Sequence, residues 1–410
     1  MDDHCAAIEG GNKAKTKPYS RTPRYGTEEL AELRQALEQG TLFYASGQKV
    51  RALEEAFAAY VGSRYAVACS SGTAAIHAAL IALNVSPGDE VITSPITDMG
   101  SVIPILYQGA VPVFADLDPR TATLTPETVS RVLTERTVAV VAVHLAGNAC
   151  DLDGLKDLCE RRGIALVEDC AQALGCRYRG RHVGSVGRIG CFSLNEFKHI
   201  SCGDGGIVVT DDEDLAVRLR LATDKCYDRR PGVAIRNPTF LANNYRMTEL
   251  QGAVALAQLR KLDDIVERRR RWCAALSNRL IGTPGLLLPK ATEGCDHSWW
   301  FYLMQADDAT QGVSADRLAR AMQAEGLPVG AHYIGQPIYE YPLFVDHLAY
   351  ARGSHPFSVR TYGPGLCPNA ERILERCLIL SIHEGYDDQD LEETAEGIRK
   401  AAQWCTRAGP

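Results

Sequence analysis

The sequence predicts an α/β fold, in which a doubly wound domain with a mostly parallel sheet of seven strands precedes a smaller C-terminal α+β domain. The length of 410 residues exceeds what one ordinary domain needs. Short apolar runs alternate with helical runs through the first 210 residues, which is typical of parallel strands joined by crossover helices. The run at residues 138–145 is almost wholly apolar, as expected for a strand that is covered on both faces.

The elements of the first domain follow one another in a regular order. We predict strands over residues 64–70, 89–94, 111–116, 138–145, 164–168, 189–194 and 207–210. Helical composition marks residues 73–83 and 152–162, and Gly163 is placed to end the second of these helices. Strands separated in this way by helices or loops indicate a doubly wound sheet.

The pattern changes after residue 244. Residues 247–280 form a long helical run with charged stripes, which we interpret as a spine leading out of the sheet domain. An apolar run at 299–304 and helices at 315–325 and 388–404 fit a smaller α+β unit. We therefore divide the chain into three parts, which are a flexible leader at 1–24, a large α/β domain at 25–270 and a small α+β domain at 271–410.

The composition limits the classes of function. The net charge is −7, so the basic surface that nucleic acid binding needs is not expected. No segment approaches the roughly 18 apolar residues of a membrane span, and the polar start of the chain lacks the apolar core of a signal peptide. The 14 cysteines are even in number but scattered, without any C-x-x-C pair. This favours reduced thiols over disulfides, a cytoplasmic location and no metal site.

The first motif with chemical meaning is SSGTAA at residues 70–75, between a predicted strand and a predicted helix. Small residues allow backbone N–H groups to approach an anion, and the helix N-terminus adds a partial positive charge. A phosphate would fit this position. The same residues could equally form an ordinary helix cap, and the motif alone does not decide between the two interpretations.

Two further motifs lie at the ends of strands in the same sheet. Asp169, in EDCAQ, follows a run of aliphatic residues, where an acidic side chain needs a positive partner such as a protonated heterocyclic nitrogen. Lys198, in FSLNEFKHISCGDGG, is either a surface lysine or an amine that forms a Schiff base with an aldehyde. A phosphate loop, an acidic residue and a lysine in this order match pyridoxal phosphate better than a nucleotide, since neither a Walker P-loop nor a strand-borne G-x-G-x-x-G occurs.

With these motifs the chain resembles the fold-type I, pyridoxal phosphate-dependent aminotransferases of the sugar aminotransferase (DegT/StrS) family. The resemblance runs from about Tyr25 to the C-terminus and is carried by SSGTAA, GDEVI, VPVFAD, EDCAQA, FSLNEFKHISCGDGG and NNYRMTELQGAVALAQL. It implies pyridoxal 5′-phosphate as the cofactor and a homodimer with shared active sites. Within the family, the chain looks closest to the branches that make aminocyclitols and amino sugars, such as the L-glutamine:scyllo-inosose aminotransferases.

The resemblance also implies a role for each matching residue. Lys198 would form the internal aldimine and then move the donor's proton, and Asp169 would pair with the pyridine nitrogen. Gln172 would lie against the cofactor near its phenolic oxygen. The cofactor's phosphate would be held by Gly72, Thr73, Ala74 and Ser193, and from the other subunit by Asn244 and Arg246.

Two positions need comparison with the family's pattern. Many members place an aromatic residue after the threonine of the segment at 95–102, where it stacks on the pyridine ring, whereas this chain has Asp98. Met99 or a residue from elsewhere would then replace that ring. A related branch of the fold, which dehydrates sugars, carries histidine in place of the lysine. Lys198 has the required four residues before GDGG and His199 comes one residue too late, so transamination is favoured.

The amino donor needs a cation for its carboxylate. We expect L-glutamine or L-glutamate as the donor. The loop that follows residue 224 carries four candidate cations, which are Lys225, Arg229, Arg230 and Arg236.

For the acceptor we expect a cyclic ketone, either a keto-cyclitol or a keto-sugar, in amino-sugar or aminoglycoside-type biosynthesis. Trp299, His332 and Tyr333, together with Trp300, could stack on such a ring and bond its hydroxyls. A nucleotide-linked keto-sugar is the alternative acceptor. A dehydratase of the same fold and a non-catalytic regulatory protein are the alternative functions.

Overall fold

The computed structural model describes residues 5–230, 232–233, 238–311, 313–350 and 360–407. Its strands are β1 (Tyr65–Cys69), β2 (Glu90–Thr93), β3 (Val111–Phe114), β4 (Thr137–Val143), β5 (Ala165–Asp169), β6 (Arg177–Tyr178), β7 (Arg181–His182), β8 (Ile189–Ser193), β9 (Gly206–Thr210), β10 (Leu286–Leu287), β11 (Cys295–Asp296), β12 (Phe301–Ala306), β13 (Val329–Ala331) and β14 (Cys377–Ser381).

The α-helices are α1 (Thr27–Glu38), α2 (Lys49–Val61), α3 (Gly72–Ala82), α4 (Ile103–Tyr107), α5 (Pro126–Ser130), α6 (Leu152–Arg162), α7 (Glu213–Thr223), α8 (Glu249–Leu259), α9 (Leu262–Leu280), α10 (Ala315–Ala324), α11 (Pro342–Val345), α12 (Pro368–Arg376) and α13 (Asp388–Arg407). Short 3₁₀ helices cover Ala7–Glu9, Met99–Ser101, Leu145–Gly147 and Ile338–Glu340. Among the described helices, none is both long and apolar enough to cross a membrane.

The central sheet has the strand order β1-β9-β8-β5-β4-β2-β3. The strands from β8 to β3 pair in parallel, and β9 runs antiparallel to both of its neighbours. Each of the seven predicted strands overlaps one of these, so the predicted α/β fold and mostly parallel sheet are confirmed.

Both faces of the central sheet are buried. Along β4, Val140 packs into one hydrophobic cluster and Val141 into the other, because successive side chains of a strand point to opposite faces. This double burial explains why the strand reads as a continuous apolar run in the sequence.

The order of the strands sets where a site can form. β5 and β8 are adjacent and parallel, with Asp169 opposite Cys191. β1 is antiparallel to β9, and therefore runs in the same direction as β8. The start of α3 and the ends of β5 and β8 consequently meet at one edge of the sheet, where open α/β sheets bind ligands.

The small domain is built on the antiparallel sheet β10-β12-β14-β13. Its core includes residues of α9, α10 and α13, such as Leu276, Leu318 and Ile398. The helical run predicted at 247–280 is two helices, α8 and α9, with Thr248 capping the first. The boundary predicted at residue 270 falls within α9. Part of the predicted small domain also packs on the large one, since the rings of Tyr339 and Phe344 each lie 5.6 Å from that of Phe114.

The leader, which we expect to be flexible, lies against the small domain over residues 5–24. Lys15 is buried, and its Nζ lies 2.7 Å from Oδ1 of Asp390 and 2.7 Å from Oε2 of Glu393. The backbone N–H groups of Ala7 and Ala14 donate to the carboxylate of Glu325. A buried cation held by two carboxylates fixes the leader in place. The 14 cysteines are all free thiols in the structure.

Candidate active site

A cavity of about 380 Å³ opens at the edge of the sheet where β5, β8 and the start of α3 meet. Six of the predicted site residues line it, which are Gly72, Thr73, Asp169, Gln172, Ser193 and Lys198. The lining also includes Thr97, Asp98, Gly100, Ser101, Asn195, Phe197, Asp204 and Trp300. The three motifs that the sequence places far apart therefore form one site.

The start of α3 combines a helix cap with an anion site. The hydroxyl of Ser71 accepts a hydrogen bond from the N–H of Ala74 at 3.0 Å, so Ser71 is the cap and the N–H of Ala74 is occupied. The N–H groups of Gly72 and Thr73 donate to no residue in the described part of the chain and remain available to an anion. Both interpretations of SSGTAA thus hold, but for different residues.

Gly72 is required by the closeness of β8. A Cβ atom added at this position would lie 2.7 Å from Cβ of Ser193. Any other residue would push α3 away from the end of β8 and would fill the space between them. The chain is therefore built to keep a small, N–H-lined cradle open, with the hydroxyl of Ser193 at its rim.

Asp169 is a buried carboxylate at the end of β5, only 4% exposed. Its Oδ2 accepts a hydrogen bond from the hydroxyl of Ser101 at 2.6 Å, and its Oδ1 accepts one from the N–H of Ala171 at 3.0 Å. Burial raises the pKa of Asp169, while these hydrogen bonds and the charge of Lys198 act in the opposite direction. A carboxylate in this position favours a cationic partner, such as a protonated ring nitrogen.

Sequence reasoning did not find Ser101 as a partner of Asp169. The hydroxyl oxygens of Ser101 and Thr97 are 2.7 Å apart, and because Ser101 donates to Asp169, it accepts from Thr97. Asp98 begins the 3₁₀ helix that turns Ser101 inward, through a hydrogen bond from the N–H of Gly100. The sequence offered one clue, since Thr97 and Ser101 are hydroxyl residues four positions apart on either side of Asp98, the residue that departs from the family's pattern.

Lys198 reaches the same cavity from the loop after β8. Burial lowers the pKa of Lys198, and the carboxylates of Asp169 and Asp98 partly oppose that shift. Its Nζ lies 4.1 Å from the centre of the Trp300 ring. A lysine whose ammonium form is disfavoured by burial is suited to attack an aldehyde.

His199, the residue that a dehydratase register would need, does not face the cavity. It is fully buried, and its Nε2 bonds the backbone carbonyl of Ser298 at 2.9 Å. Lys198 lines the cavity and His199 does not, which agrees with the spacing argument for the lysine.

Gln172 connects the large domain to Tyr333. Its Oε1 accepts from the N–H of Ala146 at 2.9 Å, and its Nε2 donates to the hydroxyl of Tyr333 at 3.2 Å. Of the acceptor residues that we predicted, Tyr333 thus contacts a residue of the site.

Trp299 and His332 do not line the cavity. The Trp299 ring stacks on those of His297 and Tyr302, at 4.0 and 5.3 Å, in the small domain. The ring nitrogens of His332 bond the carbonyl of Leu374 and the carboxylate of Asp316. In each case the neighbouring residue is the one at the site, since Trp300 lines the cavity and Tyr333 contacts Gln172.

Asn244 and Arg246 lie outside this cavity. Asn244 is exposed, and Arg246 pairs with the buried carboxylate of Asp224 at 2.5 Å. Arg229, one of the candidate donor cations, pairs with the same carboxylate at 2.7 Å.

Two of the remaining donor candidates also lie outside the cavity lining. Arg230 pairs with Asp228, and Lys225 lies over the ring of Tyr227. Arg236 lies outside the described residues. Neither Arg230 nor Lys225 is part of the cavity lining.

Beneath the site, His144, Glu168 and Cys170 form a buried group with the composition of a metal site. The imidazole is engaged on both sides, since its Nδ1 accepts from the N–H of Cys150 and its Nε2 lies 3.1 Å from Oε2 of Glu168. Glu168 also accepts from three backbone N–H groups, which are those of Gly184, Val186 and Gly187. We therefore interpret the group as a structural hydrogen-bond network.

The family model of the DegT/DnrJ/EryC1/StrS aminotransferases matches residues 23–399. The chain belongs to this family. Spore coat polysaccharide biosynthesis protein SpsC of Bacillus subtilis (strain 168) is 33% identical to it in an alignment of 393 residues that covers 93% of this chain and 96% of SpsC.

Solved structures of the family agree over nearly the whole length. The crystal structure of 3-amino-5-hydroxybenzoic acid (AHBA) synthase has a TM-score of 0.83 and 29% identity, covering 95% of this chain and 100% of the synthase. That of DesI with its TDP-sugar product has a TM-score of 0.80 and 31% identity, covering 99% and 97%. The chain is a pyridoxal phosphate-dependent sugar aminotransferase with the fold-type I architecture.

The residues of the cavity fit pyridoxal phosphate, the cofactor of the family. The cradle at Gly72 has free N–H groups for a phosphate, Asp169 favours a cationic ring nitrogen, and Lys198 is a buried amine beside them. The three groups occur in one cavity that has room for a small heterocycle.

Proposed function

We propose that the enzyme moves an amino group from L-glutamine or L-glutamate to a free or singly decorated cyclic ketone, a keto-cyclitol or a keto-sugar. The observation that carries this proposal is the charge of the cavity. Its described lining contains three carboxylates, those of Asp98, Asp169 and Asp204, and one cation, Lys198. A nucleotide diphosphate would bring further negative charge into this lining, in which the same chain offers no second cation to meet it.

The relatives include both classes of acceptor. AHBA synthase is named for a free ring, whereas DesI was crystallised with a TDP-sugar. Membership of the family therefore does not select between them, and the charges of this chain's own cavity support the uncharged ring. We also propose that the aminated product is used in amino-sugar biosynthesis. The name of SpsC, a spore coat polysaccharide biosynthesis protein, supports this role.

In the proposed reaction, bound pyridoxal phosphate supplies a sink for the electrons that remain when the donor's Cα–H bond breaks. Lys198 would take this proton at Nζ and deliver it to the bound cofactor within the same half-reaction, and with the acceptor it would move a proton in the reverse direction, onto the acceptor's carbon. Asp169 keeps the ring nitrogen protonated, with its own orientation fixed by Ser101 and Ala171. The N–H groups of Gly72 and Thr73, with Ser193, hold the phosphate.

We infer that a second copy of the chain completes each site. The donor's carboxylate requires a cation, and Lys198, the cation of the described lining, is occupied with catalysis. Asp224 binds both Arg229 and Arg246, so this cluster carries a net positive charge beside the exposed Asn244. A homodimer in which this cluster faces the partner's cavity would supply the missing positive charge.

Mixing of inactive subunits tests the shared site. Lys198→Ala subunits and Asn244→Ala/Arg246→Ala subunits should each be inactive, whereas their heterodimers should contain one intact site. After random exchange we expect roughly a quarter of wild-type activity, because half of the dimers regain one of two sites.

The matched control mixes Lys198→Ala with Asp169→Asn subunits. Both residues belong to one subunit's site in our proposal, so these heterodimers should stay inactive. Heterodimers that form, as shown by differently tagged subunits, but regain no activity in the first mixture would overturn the shared site.

A panel of ketones tests the acceptor. The enzyme is converted to its pyridoxamine phosphate form, each ketone is added, and the return of the pyridoxal phosphate absorbance is followed. We expect recovery with scyllo-inosose or a keto-aminoglycoside and little with nucleotide-linked 4-keto-sugars. Recovery with the nucleotide-linked ketones alone would contradict the proposal while leaving the aminotransferase activity intact.

A variant with one carboxylate fewer in the cavity tests whether charge selects the acceptor. If the carboxylates exclude diphosphates, Asp98→Asn should raise the relative rate with nucleotide-linked ketones several-fold. Asp157→Asn, which removes an equal charge from the exposed face of α6, is the matched control and should leave the ratio unchanged.

A further inference from the structure

Trp300 is held rigidly beside the amine of Lys198. Its indole Nε1 donates to the backbone carbonyl of Phe197 at 2.7 Å, and its own N–H donates to the carbonyl of Ala146 at 2.8 Å. The face of the ring lies 4.1 Å from Nζ of Lys198. The ring is thus attached both to the loop that carries the lysine and to the large domain behind it.

The segment before Trp300 is fitted closely to the large domain. Gly147 has φ +94°, and a Cβ added there would lie 2.6 Å from the hydroxyl oxygen of Ser298. The N–H of Ser298 donates to the carbonyl of Gly147 at 3.0 Å. This close approach places the indole of Trp300 by backbone contacts, so its position does not depend on a substrate.

We propose that Trp300 is a positioning residue that holds the side chain of Lys198 within the cavity once Nζ carries a proton, during the stage in which the lysine is not bound to the cofactor. The face of an indole attracts a cation and has no such preference for a neutral amine. A lysine released from the cofactor has four rotatable bonds, and a fixed ring limits the positions that it visits. The proposal rests on the catalytic role proposed for Lys198.

Other groups around the amine also affect its charge. The carboxylates of Asp169 and Asp98 act on the charge of the amine, and the carboxylate of Asp204 lines the same cavity. The imidazole of His199 is buried outside the cavity lining and is held by the carbonyl of Ser298. The carboxylates of Asp169 and Asp98 favour the ammonium form, and burial disfavours it. Trp300 contributes differently from all of these, because its attraction depends on the ring face and disappears with an aliphatic side chain of similar burial.

The test measures Lys198 in the protein without cofactor or substrates. Trace acetylation across a pH series, followed by mass spectrometry of the Lys198 peptide, gives a midpoint that reports the pKa and a high-pH plateau that reports access. In Trp300→Leu the ammonium form loses its partner, so we expect the midpoint to fall by about 0.5 to 1 pH unit. Trp300→Phe keeps a smaller ring and should show a smaller fall.

The neighbouring tryptophan supplies the matched control. Trp299→Phe changes a ring that stacks in the small domain and should leave the midpoint unchanged. An unchanged midpoint in Trp300→Leu, or an equal fall in Trp299→Phe, would overturn the proposal. If thermal unfolding shows that Trp300→Leu does not fold, Trp300→Phe decides in its place, and the absence of a fall there overturns the proposal.

The same variants separate this inference from the proposed function. Loaded with cofactor, Trp300→Leu should lower kcat several-fold with little change in the KM for the donor, and Trp300→Phe should restore most of it. Because the labelling needs neither reaction nor acceptor, an error in the acceptor class cannot alter its result.

Discussion

Lys198→Ala is expected to abolish turnover and the covalent attachment of pyridoxal phosphate, while leaving the fold intact. The lysine is the amine of the described cavity, and its buried position lowers its pKa toward the range in which an amine is nucleophilic. The same group must then carry the donor's proton. Loss of both roles should lower the rate by at least about 1,000-fold.

Borohydride reduction of the yellow wild-type enzyme should fix the cofactor on the peptide that contains Lys198. Lys156→Ala, a change on the exposed face of α6, serves as the control and should retain both colour and activity. The assignment fails if mass spectrometry finds the reduced cofactor on another lysine, or if Lys198→Ala still binds it covalently.

Most of the sheet could be predicted from the sequence because burial on both faces leaves a strong signal. The aliphatic runs at β4 and β5 are too short to be helices, so a buried strand is the better interpretation of each. The run at 247–280 was harder, because the break between α8 and α9 falls at Arg260 and Lys261 without proline or glycine. The helical pattern of the sequence continues through this break, so the end of α8 and the start of α9 are seen only in the folded structure.

The core of the site could be predicted because its residues follow the ends of parallel strands. Asp169 and Ser193 end adjacent strands, and strand order alone brings them together. Trp300 and Tyr333 were harder to separate from their neighbours Trp299 and His332. Adjacent residues point in different directions, and the sequence does not show which direction faces the cavity.

Contacts between distant segments were beyond a reading of local pattern. The acidic partners of Lys15 follow it by more than 300 residues, so the leader has no nearby signal of order. Ser101 likewise meets Asp169 only through the fold, since the two residues are 68 positions apart in the sequence. Hydroxyl residues are common in loops, and nothing in their own sequence marks one as the partner of a buried carboxylate.

Asp169→Asn is expected to fold and to bind the cofactor's phosphate, but to lose about 100- to 1,000-fold of its rate of proton transfer from the donor. Asparagine has the same shape and can still accept from Ser101, yet it carries no charge to keep the ring nitrogen protonated. Stopped-flow formation of the pyridoxamine phosphate form measures this step. A rate close to that of the wild type would refute the role of Asp169.

In the absence of cofactor, Asp169→Asn should be more stable than the wild type near neutral pH, although it is the slower enzyme. Burial raises the pKa of Asp169 in the folded state, so its ionised form is disfavoured there relative to the unfolded chain. The wild-type protein therefore loses stability as the pH rises from the ordinary pKa of an aspartate through this raised value, and Asp169→Asn has no such loss. Thermal unfolding of the two proteins should coincide in acid and favour the variant near neutral pH. If Asp169→Asn is instead less stable than the wild type at neutral pH, the buried carboxylate is stable without a cationic partner, and this argument for its role fails.

Ser101→Ala removes a hydrogen bond that favours the ionised carboxylate of Asp169, so it should raise the pKa of Asp169 further. We expect a loss of rate between those of the wild type and Asp169→Asn, and Ser101→Thr, which keeps a hydroxyl group, should restore the rate.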